Sequence, residues 1–165
     1  MIVNPYHACT CQRMGNTHAL CQGQLTLGEQ GKRLHLSLKQ GEQALAIVLD
    51  RCVMQDNLPK CDGLYLWKSH NRSTAVLIEL KGAGDIPKAF AQLGYVRHQR
   101  PEYQTLVAYW RSTSALPVQQ KAVIVTNGLL SKPELERLER QHNIRVSALL
   151  HCEHTTPTPD LRPYL

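Results

Sequence analysis

Asp62, Glu79 and Lys81 are the residues whose types and spacing could do chemistry in this chain. Glu79 and Lys81 stand two apart in the run TAVLIELKG, so in a strand both side chains leave the same face. Asp62 opens an earlier apolar run, DGLYLW, and the polar stretch SHNRS between the two runs reads as the turn of a hairpin. Carboxylates on neighbouring strands suit a hard divalent cation such as Mg²⁺ or Mn²⁺. These ions take oxygen ligands and keep several waters, so one or two carboxylates and a phosphate oxygen suffice. The ion polarises a phosphoryl oxygen and lowers the pKa of a coordinated water. A lysine beside it orients that water or offsets charge building in the transition state. The plainer alternative is a surface hairpin whose Glu–Lys pair is merely solvated.

A second set of chemistry-bearing residues lies near the N-terminus, where His7, Cys9, Cys11, His18 and Cys21 fall close together, with His151, Cys152 and His154 near the other end. Thiolate and imidazole at that density would hold a structural Zn²⁺ or, with enough cysteines, an iron–sulfur cluster. The C-x-C spacing is not that of a zinc knuckle, and the alternative is an irregular, partly exposed segment. The chain has six cysteines and no export signal, which argues against a disulfide framework. Cys52 and Cys61 read as buried thiols. A net charge of +6 and a pI near 9.1 favour a polyanionic partner. Lys60, Arg72, Lys88, Arg97 and Arg100 are the candidates to grip flanking phosphates, each with the alternative of a solvated surface charge. No apolar run is long enough to span a bilayer and MIVNPYHACT lacks a leader pattern, so a cytoplasmic protein without membrane contact is expected.

The elements that must position these groups follow from periodicity. The 165 residues read as one domain: an N-terminal Cys/His segment and hairpin over 1–40, a core over 41–150, and a Pro-rich tail over 151–165 expected to run extended across the surface. QLTLG and KRLHLSLK alternate around the turn EQGK and predict a hairpin. GEQALAIVLDRCVM carries a broad apolar stripe and predicts a helix, followed by the two strands of the Asp62–Lys81 stretch. A helix starts after Asp85 with Pro87 in its first turn. It returns Gln92 toward the carboxylates, where its amide would donate to a phosphate or order water. Pro101 divides that helical region. QQKAVIVTNG predicts a covered strand, SKPELERLERQHN a helix capped by Ser131, and IRVSALLH a last strand. The fold class is α/β, a mixed sheet with helices on both faces.

This order of helix, strand with Asp, strand with Glu-x-Lys, helix with Gln, strand, helix and strand resembles the PD-(D/E)-x-K nuclease superfamily. That superfamily has the restriction-endonuclease-like fold shared with Holliday-junction resolvases. The resemblance covers 41–150 and matches Asp62 to the first acid, Glu79 and Lys81 to the E-x-K, and Gln92 to the helix glutamine. It also implies an acid from the first helix, Glu42 first and Asp50 second. Cys61 stands where the motif's name puts proline, and Tyr95 falls one residue short of a Gln-x-x-x-Tyr pattern from Gln92. The resemblance implies a restriction-endonuclease-like core with an N-terminal β-hairpin extension, and a Mg²⁺- or Mn²⁺-dependent nuclease acting on DNA, structure-directed more than sequence-specific, as a homodimer. The alternatives are a catalytically weak nucleic-acid or protein-binding scaffold of the same fold, or a small partner subunit held by a zinc-binding N-terminus.

Overall fold

The central strand is β6, Ser73–Lys81, and it explains the rest of the core. Its run STAVLIELK is buried on both faces up to Lys81, so it must be flanked by strands and covered twice. In the computed structural model, which describes residues 3–165, β6 sits in the middle of a five-stranded mixed sheet. Strand β4 (Gln43–Val48) pairs antiparallel with β5 (Gly63–Lys68), and β5 pairs antiparallel with β6. Beyond β6, β7 (Val118–Thr126) and β8 (Ala148–His151) add in parallel. A separate antiparallel sheet holds β1 (Cys21–Gly23), β2 (Thr26–Glu29) and β3 (Lys32–His35). Helix α1 (Cys11–Met14) precedes it. The chain is thus an α/β protein with a hairpin-bearing N-terminal unit, as expected. The β2–β3 turn is Gln30–Gly31 with φ of 52° and 79°, a left-handed pair suited to a tight hairpin.

Helix α2 (Ile86–Gln99), α3 (Pro101–Ser112) and α4 (Lys132–His142) begin and end close to where the sequence places them. Pro101 separates α2 from α3, and the Ser131 side chain accepts from the Glu134 N–H as N-cap of α4. All three helices pack on one face of the large sheet, where Phe90, Leu93, Trp110 and Leu138 meet Leu64, Leu66, Leu77 and Ile124. The opposite face is not helical. It is covered by Leu27 and Leu34 of the small sheet, by Leu36 just past β3, and by Leu161 and Leu165 of the tail, packed on Tyr65, Trp67, Ile78 and Val123. The expectation of helices on both faces is therefore corrected. The strands β6, β7 and β8 step in one direction, and right-handed crossovers then place every helix on the same side.

Three further expectations change. The helix expected over GEQALAIVLDRCVM is strand β4 followed by tight turns, with Asp50 bridged to Met54. Its continuous ALAIVL run suits a strand covered on both sides as well as a helix, and pairing with β5 decides between them. The tail does not simply lie on the surface: Leu161 is buried, its N–H donates to His35 O at 2.8 Å, and Arg162 forks onto both carboxylate oxygens of Glu42 at 2.6 Å. Finally, four of the six cysteines are paired, Cys9–Cys52 and Cys11–Cys21, with Cα–Cα distances of 5.8 and 5.4 Å. Cys61 and Cys152 are the buried free thiols. The spacing rules read neighbours in sequence, whereas Cys9 and Cys52 become neighbours only when α1 packs along β4 and Thr10 bridges Ile47. No described helix is long and apolar enough to cross a membrane.

Candidate active site

Hairpin register brings the acids together. Gly63 opposes Ile78, so Asp62 and Glu79 occupy the same end of β5 and β6, and the Asp62 Oδ2 accepts from the Leu80 N–H at 2.7 Å. That bond ties the Asp62 side chain to the backbone between Glu79 and Lys81. The Asp62 carbonyl in turn accepts from the Leu49 N–H at 3.0 Å, which fixes the chain just past β4 and draws Asp50 to the same end of the sheet. Asp50, the second-choice acid, joins this group. The first choice, Glu42, does not: it lies at the far end of β4, where Gln43 opposes Lys68, and its carboxylate is committed to Arg162. That pairing pulls the Glu42 pKa down to about 2, the opposite of what a carboxylate beside other carboxylates would show.

Glu79 does show it. The residue is 2% exposed, and its pKa is held well above the ordinary carboxylate value, first by burial and then by the charge of Asp62, with Asp50 adding and Lys81 opposing. Lys81 Nζ stands 4.0 Å from Glu79 Oε1, and Glu79 Oε2 is buried without a hydrogen-bond partner. A buried, unpartnered carboxylate oxygen is costly unless a cation or a proton meets it. Cys61, also buried among these acids, has its thiol pKa raised well above the ordinary value by the same burial and then by Glu79 and Asp62. Gln92 on α2 likewise has a buried, unpartnered Oε1.

Among the described residues, no three His, Cys, Asp or Glu side chains are grouped closely enough to hold a metal ion by themselves. A hard dication does not require that, since one or two carboxylates with waters and a phosphate oxygen fill its shell. Asp62 and Glu79 offer such a donor set. Of the residues expected to bind zinc, Cys9, Cys11 and Cys21 are disulfide-bonded, and His18 Nδ1 accepts from the Leu20 N–H at 3.1 Å.

Most of the expected phosphate-gripping cations are used inside the fold. Arg100 is 2% exposed and paired with Asp56 at 2.8 Å and Glu102 at 2.7 Å. Arg97 donates to Gln120, and Arg72 donates to Leu165 O at 2.9 Å while lying over Trp67. Arg72 precedes the Ser73 end of β6, about 25 Å along the strand from Lys81. Lys60 donates to the carbonyls of Asp56 and Leu58 at 2.6 and 2.9 Å, and Lys88 is exposed on α2. Side-chain exposure is a tertiary property, so these roles could not be sorted from sequence.

A pocket of about 190 Å³ opens beside Asp50 and Asp62, lined also by Arg51 of the core and by His18, Gly28, Glu29 and Gln30 of the N-terminal unit, and Glu79 and Lys81 do not line it. Arg51 was not singled out by sequence, and His18 entered only as a zinc candidate. Two roomier clefts, about 430 and 600 Å³, run along α4 past Glu136, Glu139 and Arg145 and do not include Asp50, Asp62 or Glu79. No known protein family, curated protein or solved structure matches the chain.

Proposed function

We propose that this chain is a metal-dependent phosphodiester hydrolase acting on nucleic acid, DNA first, with a restriction-endonuclease-like core. The single observation that carries the reading is Glu79, buried beside Asp62 with one oxygen unpartnered and Lys81 at 4.0 Å. Such a carboxylate destabilises the fold when it is charged and alone, and a cation shared with Asp62 reverses that penalty. Asp62 and Glu79 would hold Mg²⁺ or Mn²⁺, which when bound supplies Lewis acidity to a phosphoryl oxygen and to water. Asp62 is kept in place for this by the Leu80 N–H. Lys81, 19% exposed in its side chain, keeps its ammonium at the rim, where it offsets charge on the phosphoryl oxygens as water attacks phosphorus in line and the ester oxygen leaves. Gln92 adds an amide on the helix that packs over β6.

The test is cleavage of labelled single-stranded, duplex and branched DNA with Mg²⁺ or Mn²⁺ by wild type, Glu79→Ala and Lys81→Ala. Each substitution is expected to lower the rate about 10²–10³-fold, the loss typical of removing one transition-state electrostatic group. Equal inertness of wild type and both variants, with DNA still bound, would replace the hydrolase by a binding scaffold of the same fold.

A further inference from the structure

Three parts of the molecule meet at the turn that follows β4. The turn is closed by the Met54 N–H on Leu49 O at 2.9 Å and the Arg51 N–H on Met54 O at 3.1 Å. Its Leu49 N–H donates to Asp62 O at 3.0 Å, so the turn rests on the backbone of the first acid of the site. Arg51 pairs with Glu29 of β2 at 3.9 Å and with Asp50 at 4.0 Å, which ties the turn to the small sheet. Cys52 is bonded to Cys9, which ties it to the segment before α1. Only this last tie is covalent. It lies next to Arg51, whose φ of 64° is left-handed and costly for a residue with a Cβ. A turn held partly by a neighbouring crosslink relaxes when that crosslink is cut.

The two disulfides differ in access. Cys11 and Cys21 are 1% and 4% exposed, so both sulfurs of that bridge are shielded. Cys9 is 7% exposed, whereas Cys52 is only partly buried and admits a reagent from solution. Thiol–disulfide exchange starts with a thiolate reaching one sulfur, so access decides which bridge opens. The free thiol Cys61 shares the apolar cluster of Cys9 and Cys52 but is 1% exposed, and a thiol buried in apolar surroundings is inert. The attacking thiol therefore comes from outside. We propose that Cys9–Cys52 is a thiol-operated latch on the acid end of the sheet, closed when oxidised and opened by a small dithiol. Its effect on cleavage rests on the hydrolase reading. One thiolate of the dithiol attacks Cys52 Sγ, the bond to Cys9 breaks, and Cys9 leaves as thiolate and takes a proton from water. The second thiol of the reagent loses its proton and attacks its own sulfur in the mixed disulfide. Cys52 then leaves and is protonated in turn. The dithiol ends as a cyclic disulfide, and two electrons have passed to the protein. The opened turn keeps its hydrogen bonds but loses its anchor, so the Leu49–Asp62 contact breaks more often and Asp62 is less firmly seated.

The test treats the whole, oxidised protein with dithiothreitol in native buffer and traps free thiols with iodoacetamide for mass mapping. Cys9 and Cys52 are expected to be alkylated first, with Cys11–Cys21 still closed. Amide hydrogen exchange across 47–54 is then expected to quicken about tenfold, while amides of the β6–β7 pair keep their protection. Cys9→Ala/Cys52→Ala should exchange like the reduced wild type without any reductant. Cys11→Ala/Cys21→Ala, whose latch is intact, should exchange across 47–54 like the oxidised wild type. Cleavage of labelled DNA with Mg²⁺ is expected to fall about threefold to tenfold on reduction and to return on reoxidation. Cys11–Cys21 opening first or at the same rate overturns the latch, as does unchanged exchange across 47–54. Exchange that rises equally throughout the molecule also overturns it, because the bridge is then a staple of global stability. A loosened turn with undiminished cleavage removes the regulation. A turn that loosens on reduction in a protein that cleaves in neither form sinks the hydrolase and leaves the latch.

Discussion

Glu79 and Glu42 are the same residue type with opposite environments, and the contrast has consequences for stability. Glu42 is ionised and forked onto Arg162, while Glu79 is buried beside like charge. An unfolded glutamate ionises near 4.5, and folded Glu79 holds its proton to a pH well above that. Between those two values the unfolded chain has released a proton that the folded chain retains, so rising pH favours unfolding across that window and then levels off. Stability from this residue is thus complete below about pH 4.5 and lost as pH climbs through the folded value. Glu79→Gln is expected to stabilise the metal-free protein at about pH 8 by roughly 1–2 kcal/mol, a rise of about 2–4 °C in melting temperature per kcal/mol, and to change little near pH 4. Thermal unfolding of both proteins with chelator at the two pH values checks it, and an equal effect at both would remove the role given to the buried charge.

At the scale of elements, the acids depend on how closely β2 can approach β5. Gly63 follows Asp62 directly, and a Cβ there would lie 2.5 Å from Leu27 Cδ1 and 3.2 Å from Ile47 O. Leu27 is fully buried between the two sheets, and the Tyr65 hydroxyl reaches the carbonyls of Leu25 and Leu34 at 3.0 Å each, so β2 has little freedom to yield. Gly63→Ala is expected to cost about 1–3 kcal/mol as overpacking, measurable as a lower melting temperature. Gly63→Ala melting like wild type would mean that β2 is looser than this packing implies. The glycine in CDGLYLW was visible in the sequence, but its reason was not, because Leu27 is distant along the chain. The same limit explains β4. Its apolar run was legible as buried, and only the partner strand β5 fixed it as extended, which removed Glu42 from the site and brought in Asp50.

Across the whole molecule, the Cys9–Cys52 disulfide fastens the N-terminal unit to the core, and Cys11–Cys21 closes the loop that carries His18. Cys9–Cys52 spans 43 residues and ends next to Arg51, so it restrains both the pocket wall and the unfolded chain. The double variant Cys9→Ala/Cys52→Ala is expected to lose about 2–4 kcal/mol, or about 5–15 °C in melting temperature, in calorimetry. Melting unchanged by the substitution would mean that packing of α1 along β4 suffices to hold the segment. The net charge of +6 was equally legible, but not where it acts: Arg100, Arg97 and Arg72 are taken up by internal contacts, leaving Arg51 among the cations beside the acids.

Taken by itself, the sequence determined the elements from Asp62 onward, since hairpin, prolines, caps and apolar runs are local signals that act within a few residues. It likewise determined that Asp62, Glu79 and Lys81 share one end of one hairpin, because strand periodicity and a short turn leave little alternative. Tertiary structure alone decided which third acid joins them, which cysteines pair, which cations stay free and what roofs the pocket. Each of those depends on contacts between residues far apart in the chain, Cys9 with Cys52, Leu27 with Gly63, Glu42 with Arg162, and no local pattern encodes such a meeting.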